Sequence, residues 1–88
     1  MTVNHFDDVG KDELKSTGRM RSVGKITLSA SGRARAKIFF NETETPFKIF
    51  VNCSTSSVEF QKPTDINNIE IDNLENVSQD VYLLTETK

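Results

Sequence analysis

Two strand patterns on either side of Ser31-Gly32 constrain the fold of this chain more than any other feature. Residues 23–28 are rich in branched apolar side chains, and residues 33–39 read RARAKIF, in which small or apolar side chains alternate with cations. This alternation predicts strands, because successive side chains of a strand point to opposite faces of a sheet. If Ser31-Gly32 is a tight turn, the two strands pair as a hairpin with a row of cations on one face.

A helix is the alternative over the same residues. Ser29 or Ser31 would cap it, and it would extend over residues 32–38, which is only about two turns. Gly32 would weaken its first turn, because glycine loses more conformational freedom than other residues on entering a helix. Local physical chemistry therefore favours the hairpin, and the conformation of residues 30–39 decides between two folds.

Further strand patterns recur about every ten residues. Turn signals separate them, such as NETETP at residues 41–46, and Pro63 is expected to end one strand because proline lacks a backbone donor. We therefore predict a mainly β fold, a small antiparallel β-barrel or sandwich of about five to six strands with a polar N-terminal arm. The additional apolar patterns lie in residues 47–52, 58–62, 69–71 and 81–84.

Composition divides the 88 residues into three parts of one small domain. Residues 1–15 are a polar arm, interpreted as a short helix or a disordered segment. Residues 16–63 form a basic, β-rich core, and residues 64–88 form an acidic segment that completes the same domain. Within this last part, residues 64–80 are rich in Asn and acids and are the best candidate for a flexible segment.

Positive charge is concentrated in the first half of the chain, although the whole chain has a net charge of −2. Residues 11–37 contain eight Lys or Arg and two acids, whereas residues 38–88 contain three Lys and nine acids. Dense cations neutralise phosphates and release their counterions, and arginine makes bidentate contacts to phosphate or guanine. This distribution predicts either a nucleic-acid-binding face or cations that pair with the acidic half. The predicted nucleic-acid contacts are Arg19, Arg21, Lys25, Arg33, Arg35, Lys37 and Phe50.

Phe50 joins this set for a separate reason. Alternation places it with Lys48, opposite the face that carries Phe47, Ile49 and Val51, so it is predicted to be exposed on a strand beside the basic one. Exposed aromatic rings stack on the bases of single-stranded nucleic acids. The remaining phenylalanines are more simply assigned to the core.

No catalytic or metal-binding pattern is present in the sequence. His5 is the only histidine and Cys53 the only cysteine, so the spacing of a metal site is missing and a nucleophile pair of these two has no local support. We therefore expect no enzyme activity, no cofactor and no metal. A single cysteine excludes an internal disulfide, and no apolar run is long enough to cross a bilayer, which together indicate a cytoplasmic protein without membrane contact.

At the basic stretch the sequence resembles the swapped-hairpin DNA-binding domain of AbrB, SpoVT and MazE-type regulators. The matching residues are KSTG at 15–18, Arg21, GKITL at 24–28, Arg33, Ile38, FKIFV at 47–51 and VEFQKP at 58–63. The resemblance implies an intertwined, swapped-hairpin β dimer with one short helix. It also implies that the acidic residues 65–86 bind a cognate protein, as antitoxin tails do. The DNA contacts that it implies are Arg19, Arg21, Lys25 and Arg33.

The favoured function is that of a small nucleic-acid-binding protein, a DNA-binding transcriptional regulator or antitoxin that forms a homodimer and uses residues 19–37. The alternative is a non-enzymatic protein-binding module, such as a phage- or plasmid-type inhibitor or assembly component. This module would act through its acidic half and a strand edge.

Overall fold

The computed structural model describes residues 2–41 and 43–87, which form β-strands joined by short connections, with no helix among them. The predicted mainly β class is confirmed. These residues form eight strands rather than five or six, because β1 and β2 arise in the polar arm, where apolar alternation is weak. The strands are β1 (Thr2–Val9), β2 (Leu14–Ser16), β3 (Met20–Ala30), β4 (Arg33–Phe39), β5 (Phe47–Asn52), β6 (Thr55–Ile66), β7 (Asn68–Asn73) and β8 (Gln79–Thr87).

The strands form two antiparallel sheets of four that pack face to face around one core. The first sheet has the order β1-β8-β3-β6, and the second sheet has the order β2-β7-β4-β5. Among the described strands, only β4 and β5 are consecutive in the chain and neighbours in a sheet. Nearly every connection therefore carries the chain from one sheet to the other, which closes the sandwich and confirms the predicted barrel or sandwich.

The core lies between the sheets and consists mainly of branched aliphatic side chains. In β4 the side chains of Ala34, Ala36 and Ile38 point inward and are fully buried, whereas the alternate cations point outward, as predicted. Burial of each Ile or Leu side chain stabilises the fold by about 1.5–3 kcal/mol, so these residues supply much of the driving force for closure. The other fully buried aliphatic side chains are Val9, Ile26, Leu28, Ile66, Ile69, Ile71, Val81 and Leu83.

β3 and β4 do not form the predicted hairpin. β3 pairs with β6 and β8, and β4 pairs with β5 and β7, so the chain crosses from the first sheet to the second at Ser31-Gly32. Alternation sets the face of each side chain but carries no information about the partner strand. Gly32 is favoured for space, because an added Cβ would lie 2.8 Å from Cγ of the Glu75 side chain, which would have to move. Residues 33–39 are strand, so the helix that the swapped-hairpin alternative requires is not formed.

Residues 2–9, which the sequence assigns to a polar arm, form β1 at the edge of the first sheet. β1 pairs with β8, and Val9 is fully buried. The helix or disordered segment expected there is not formed. Its strand pattern is hard to recognise, because Asp8 adopts a left-handed φ of 56° at an irregularity of the pairing between Phe6 and Val9.

The expected flexible segment, residues 64–80, contains β7, which lies between β2 and β4 in the second sheet. Ile69 and Ile71 of β7 are fully buried, so its short alternation is enough to fix it in the sheet. Pro63 does not end β6, which continues to Ile66. β6 is an edge strand, where the missing N–H of a proline is tolerated.

Candidate nucleic-acid interface

The strand pairing divides the predicted basic residues between opposite faces of the sandwich. Lys25 points outward from β3 in the first sheet, whereas Arg33, Arg35 and Lys37 point outward from β4 in the second sheet. A hairpin would have placed them side by side, but two sheets packed face to face direct their outer faces in opposite directions. Residues 19–37 therefore do not form one continuous basic face.

The cations in the middle of β4 are paired with acids of β7. Arg35 Nη2 lies 2.7 Å from Asp72 Oδ2, and Lys37 Nζ lies 3.5 Å from Glu70 Oε1 and 3.6 Å from Asp72 Oδ2. The antiparallel register explains these contacts, since Arg35 is directly opposite Asp72 and Lys37 is directly opposite Glu70. All four side chains are partly buried, so a phosphate would have to displace carboxylates that already hold these cations.

Arg33 is held by Glu75 at the start of β4. Its Nε lies 3.2 Å from Glu75 Oε2, its backbone N–H donates to the same oxygen at 2.7 Å, and its Nη2 donates to the carbonyl oxygen of Leu74 at 3.2 Å. The backbone N–H of Arg33, and then its guanidinium, lower the pKa of Glu75 below its ordinary value. Arg33 therefore helps to fix the crossing between the two sheets.

Lys25 has a looser partner on the outer face of the first sheet. Its Nζ lies 3.8 Å from Oε1 of Glu59, which is opposite it on β6 and largely exposed. An exposed pair of this kind contributes about 0–1 kcal/mol to stability. Its neighbours on the same face of β3 are Thr27 and Ser29, and it lies on the opposite face of the sandwich from the predicted cations of β4.

Arg19 and Arg21 line an open groove of about 560 Å³ at one end of the sandwich. Three segments build it, namely the start of β3, the residues that follow β4, and the corner between β6 and β7. Its volume is within the usual range of ligand-binding clefts. The lining residues are Arg19, Arg21, Phe40, Asn41, Thr43, Asp65, Ile66 and Asn67.

An irregularity in β3 positions Arg21 at this groove. Ser22 has a left-handed φ of 55°, and the pairing of β3 with β6 shifts between Met20 and Val23. The backbone N–H of Ser22 donates to Oδ1 of Asp65 at 3.1 Å. Bulges of this kind change the direction of neighbouring side chains, and here both Arg21 and Ser22 are exposed.

The groove combines two guanidinium groups with an aromatic ring, side-chain amides and the carboxylate of Asp65, which accepts the N–H of Ser22. Nη2 of Arg19 donates to Oδ1 of Asn67 over a long distance of 3.5 Å. Arg21 forms no ion pair with any residue that the structure describes. Phe40 packs edge to face against Phe60, with ring centroids 6.0 Å apart. The arrangement can therefore bind an anionic group next to an apolar or aromatic one.

Phe50 is exposed as predicted, but it does not line the groove. Its side chain is 60% exposed on the outer face of the second sheet, directly opposite Arg35 on β4. That guanidinium is already bound by Asp72. The structure therefore does not bring Phe50 and the groove arginines into one site.

Sequence reasoning missed the amide side chains of the groove. Nothing local marks Asn67, because the corner between β6 and β7 brings it to Arg19 from 48 positions away in the chain. Asn41 has a weak signal, since an Asn after a strand often accepts N–H groups of the residues that follow. Here Oδ1 of Asn41 accepts the backbone N–H groups of Thr43 at 3.0 Å and Glu44 at 3.1 Å.

A second cluster lies where β1 pairs with β8. The His5 ring stacks on Tyr82 with centroids 4.1 Å apart, and the possible ligand atoms of His5, Asp7 and Asp80 lie within 4.8 Å of one another. A hydrogen bond between the two carboxyl groups raises the pKa of Asp7 and lowers the pKa of Asp80. All three residues are exposed, and exposed acidic groups are common without a metal, so the cluster is not assigned a ligand.

Comparison with solved structures identifies the fold as a double-stranded β-helix. A de novo designed double-stranded β-helix is similar at a TM-score of 0.65 and 14% identity, over 98% of this chain and 100% of that chain. PirA is similar at a TM-score of 0.60 and 8% identity, over 96% of this chain and 93% of that chain. Drosophila melanogaster CENP-C bound to CAL1 gives a TM-score of 0.53 and 9% identity, over 96% of this chain and 59% of that chain.

At these identities the likeness concerns the fold alone. No protein-family model and no curated protein matches the sequence. The helix of AbrB-type regulators is not formed at residues 33–39, and the family itself and its DNA-binding role stay predictions. Within the described part of the chain, no helix is both long and apolar enough to span a membrane.

Proposed function

We propose that this protein is a non-enzymatic nucleic-acid-binding protein that binds a single strand at the groove of Arg19 and Arg21. One observation carries the proposal. Of the six predicted cations, these two are the ones that form no ion pair within the part of the chain that the structure describes. Both lie in a groove that also contains an aromatic ring. A role as transcriptional regulator or antitoxin would rest on this binding.

The groove suits a short stretch of backbone with one or two bases. Guanidinium groups offer paired donors that match phosphate oxygens, so Arg19 and Arg21 would contact adjacent phosphates. Phe40 offers a ring against which a base packs, and such stacking accepts every base because all bases have an aromatic face. Asn41 and Asn67 add amide groups for contacts to a base edge or a sugar.

A duplex across the whole basic stretch is less compatible with the pairing of the strands. β3 and β4 lie in different sheets, so the two halves of the basic stretch do not form a two-stranded ribbon that could enter a major groove. The cations of β4 are paired with carboxylates, as the distance of 2.7 Å between Arg35 and Asp72 illustrates. The proposal therefore concerns a small site with few phosphate contacts.

The same ion pairs weaken the alternative in which the acidic half recognises a protein. Glu70, Asp72 and Glu75 each contact a cation of β4, so they do not present free charge to a partner. Charge complementarity with a basic protein would require these contacts to be exchanged. A protein partner recognised through the acidic half would therefore have to rely on the other acids of that half.

Fluorescence anisotropy with a labelled thymidine oligonucleotide tests the groove site. The wild type and an Arg19→Gln/Arg21→Gln variant are titrated at several salt concentrations. For two neutralised phosphates on a single strand, we expect log K to fall with log salt at a slope of about −1.4. Loss of both guanidinium groups should weaken binding at least about tenfold and remove most of this slope.

The matched control is Lys11→Gln/Lys25→Gln, which removes the same charge from positions outside the groove. We expect its affinity to stay within about threefold of the wild type, because remote surface charges act only through the screened field of the whole protein. Equal losses in the two double variants would contradict a groove site. Absence of binding by the wild type at low salt would contradict the proposed function itself.

A further inference from the structure

The two sheets have four edge strands, β1 and β6 in the first sheet and β2 and β5 in the second. An edge strand offers unpaired N–H and C=O groups to another chain, and proteins usually block such pairing. Three of the edges carry a block. β2 has only three residues, β1 is irregular next to the left-handed Asp8, and β6 contains Pro63 and two shifts in its register with β3.

β5 has none of these features. Its six residues pair with β4 without any shift, and its only charged side chain is Lys48. Phe47 is 48% exposed and Phe50 is 60% exposed, so aromatic surface accompanies the open edge. Apart from Lys48, β5 has no feature that protects an edge, and a regular edge with exposed aromatic side chains is typical of an association surface.

The backbone of β5 is oriented for pairing with another strand. The N–H of Cys53 donates to the carbonyl oxygen of Gly32 at 3.0 Å, whereas the N–H of Asn52 turns to Oγ of Ser54 at 3.1 Å. Backbone groups of alternate residues in an antiparallel strand point to the same side. The N–H and C=O groups of Phe50 therefore point to the open edge. The N–H of Asn52 points the same way, and it has to exchange Oγ of Ser54 for the partner strand when the strands pair.

We infer that a second copy of this chain pairs with β5 in antiparallel orientation, about a two-fold axis through Phe50. In this register the two Phe50 rings pack against each other, which is a stabilising cross-strand contact. On the same face Lys48 lies opposite Asn52, and on the inner face Ile49 lies opposite Val51. The two second sheets then form one continuous sheet of eight strands.

Neighbouring registers are less favourable for a symmetric pair. An axis through Lys48 would place two ammonium groups opposite each other. An axis through Ile49 would place Pro46, which has no N–H, opposite Asn52. The axis through Phe50 avoids both conflicts. It also pairs residues 48–52 of the two strands, whereas an axis through Val51 would pair only residues 50–52.

Sedimentation analysis over a range of protein concentrations tests the dimer. We expect the wild type to change from monomer to dimer with rising concentration. Phe50→Lys should raise the dissociation constant at least about tenfold, because it replaces an aromatic pair by two opposed charges. The matched control is Val77→Lys, since Val77 is 69% exposed in the connection before β8 and outside the pairing. It should dimerise like the wild type.

Asn52→Glu tests the register. It places a carboxylate opposite Lys48 twice in the symmetric pair, and it should lower the dissociation constant by about 2- to 30-fold. A spin label on Cys53, the single and exposed cysteine, gives an independent distance. The two Cys53 positions lie six residues apart along the paired strands, so we expect about 20 Å between their Cα atoms.

A wild type that stays monomeric at every concentration would overturn the inference. So would a Phe50→Lys variant that dimerises as tightly as Val77→Lys. A label distance near 27 Å would indicate the register through Ile49 and would contradict the axis through Phe50. Failure of oligonucleotide binding would leave this dimer unaffected, since Phe50 does not line the groove.

Discussion

Gly32 shows how one residue ties the two sheets together. Its N–H donates to Oε1 of Gln79 at 2.7 Å, and its carbonyl oxygen accepts the N–H of Cys53 at 3.0 Å. Nε2 of Gln79 in turn donates to Oδ1 of Asn73 at 2.6 Å, in a buried network. A Cβ at residue 32 would crowd the Glu75 side chain, which would have to shift. This corner therefore favours a residue without a side chain.

Gly32→Ala should lower the free energy of unfolding by about 1–3 kcal/mol, because the added methyl group overfills a packed position. The distance of 2.8 Å to Cγ of Glu75 is too short for a real contact, so Glu75 has to move. Urea denaturation measures the change.

Gly10→Ala is the matched control for this substitution. At residue 10 the nearest atom to an added Cβ is Oε1 of Glu13 at 3.8 Å, an ordinary contact. We expect a change within about 0.5 kcal/mol there. Equal losses of stability in the two variants would contradict the packing described for Gly32.

At the scale of elements, β4 was the most predictable strand. The burial of Ala34, Ala36 and Ile38 follows from alternation alone, because the period of a strand assigns each side chain to a face. Alternation did not predict which strands pair with β4, because strand pairing depends on long-range packing. The Ser31-Gly32 dipeptide is compatible with a hairpin turn, and it instead carries the chain between sheets.

β1 was the least predictable strand. Its apolar residues are few, and the left-handed Asp8 breaks the alternation before Val9. Pairing with β8 therefore determines its conformation more than local preference does. β6 was also predicted incorrectly. Local rules end the strand at Pro63, but β6 is an edge strand, where proline is tolerated, and it continues to Ile66.

Deletion of residues 2–9 should destabilise the protein, in contrast to the loss of a free arm. It removes the fully buried Val9 and the partly buried Phe6, and it uncovers one side of β8. We expect a loss of about 2–5 kcal/mol, because Val9 is fully buried and Phe6 only partly. Thermal unfolding followed by circular dichroism measures it. A deletion variant with an unchanged midpoint would contradict the assignment of β1 to the sheet.

At the scale of the whole molecule, segregation of charge along the chain does not become segregation in space. The basic stretch and the acidic half are distant in sequence, but β4 and β7 are neighbours in the second sheet. Arg35 and Asp72 therefore meet across 37 positions. The charge distribution along the chain is compatible with a nucleic-acid-binding face, and it is equally compatible with ion pairs between the basic and acidic halves. Only the topology decides that most predicted cations are paired.

The groove remains as the place where predicted cations are available. Arg19 and Arg21 were predicted from local charge density, which is independent of topology. Asn67 and Phe40 join them through strand ends that antiparallel pairing brings to one end of the sandwich. The candidate site was thus predictable in its cations, and it was not predictable in the residues that complete it.

Nuclear magnetic resonance mapping of a thymidine oligonucleotide on the isotope-labelled protein tests the central claim most directly. Because the groove arginines are the predicted cations that form no ion pair with a described residue, the largest changes in backbone amide shift should occur at the groove. The outer face of β4 should change little, since its cations are already paired. The predicted responders are Arg19, Arg21, Asn41 and Asn67. Largest changes at Arg33, Arg35 and Lys37 instead would contradict the account.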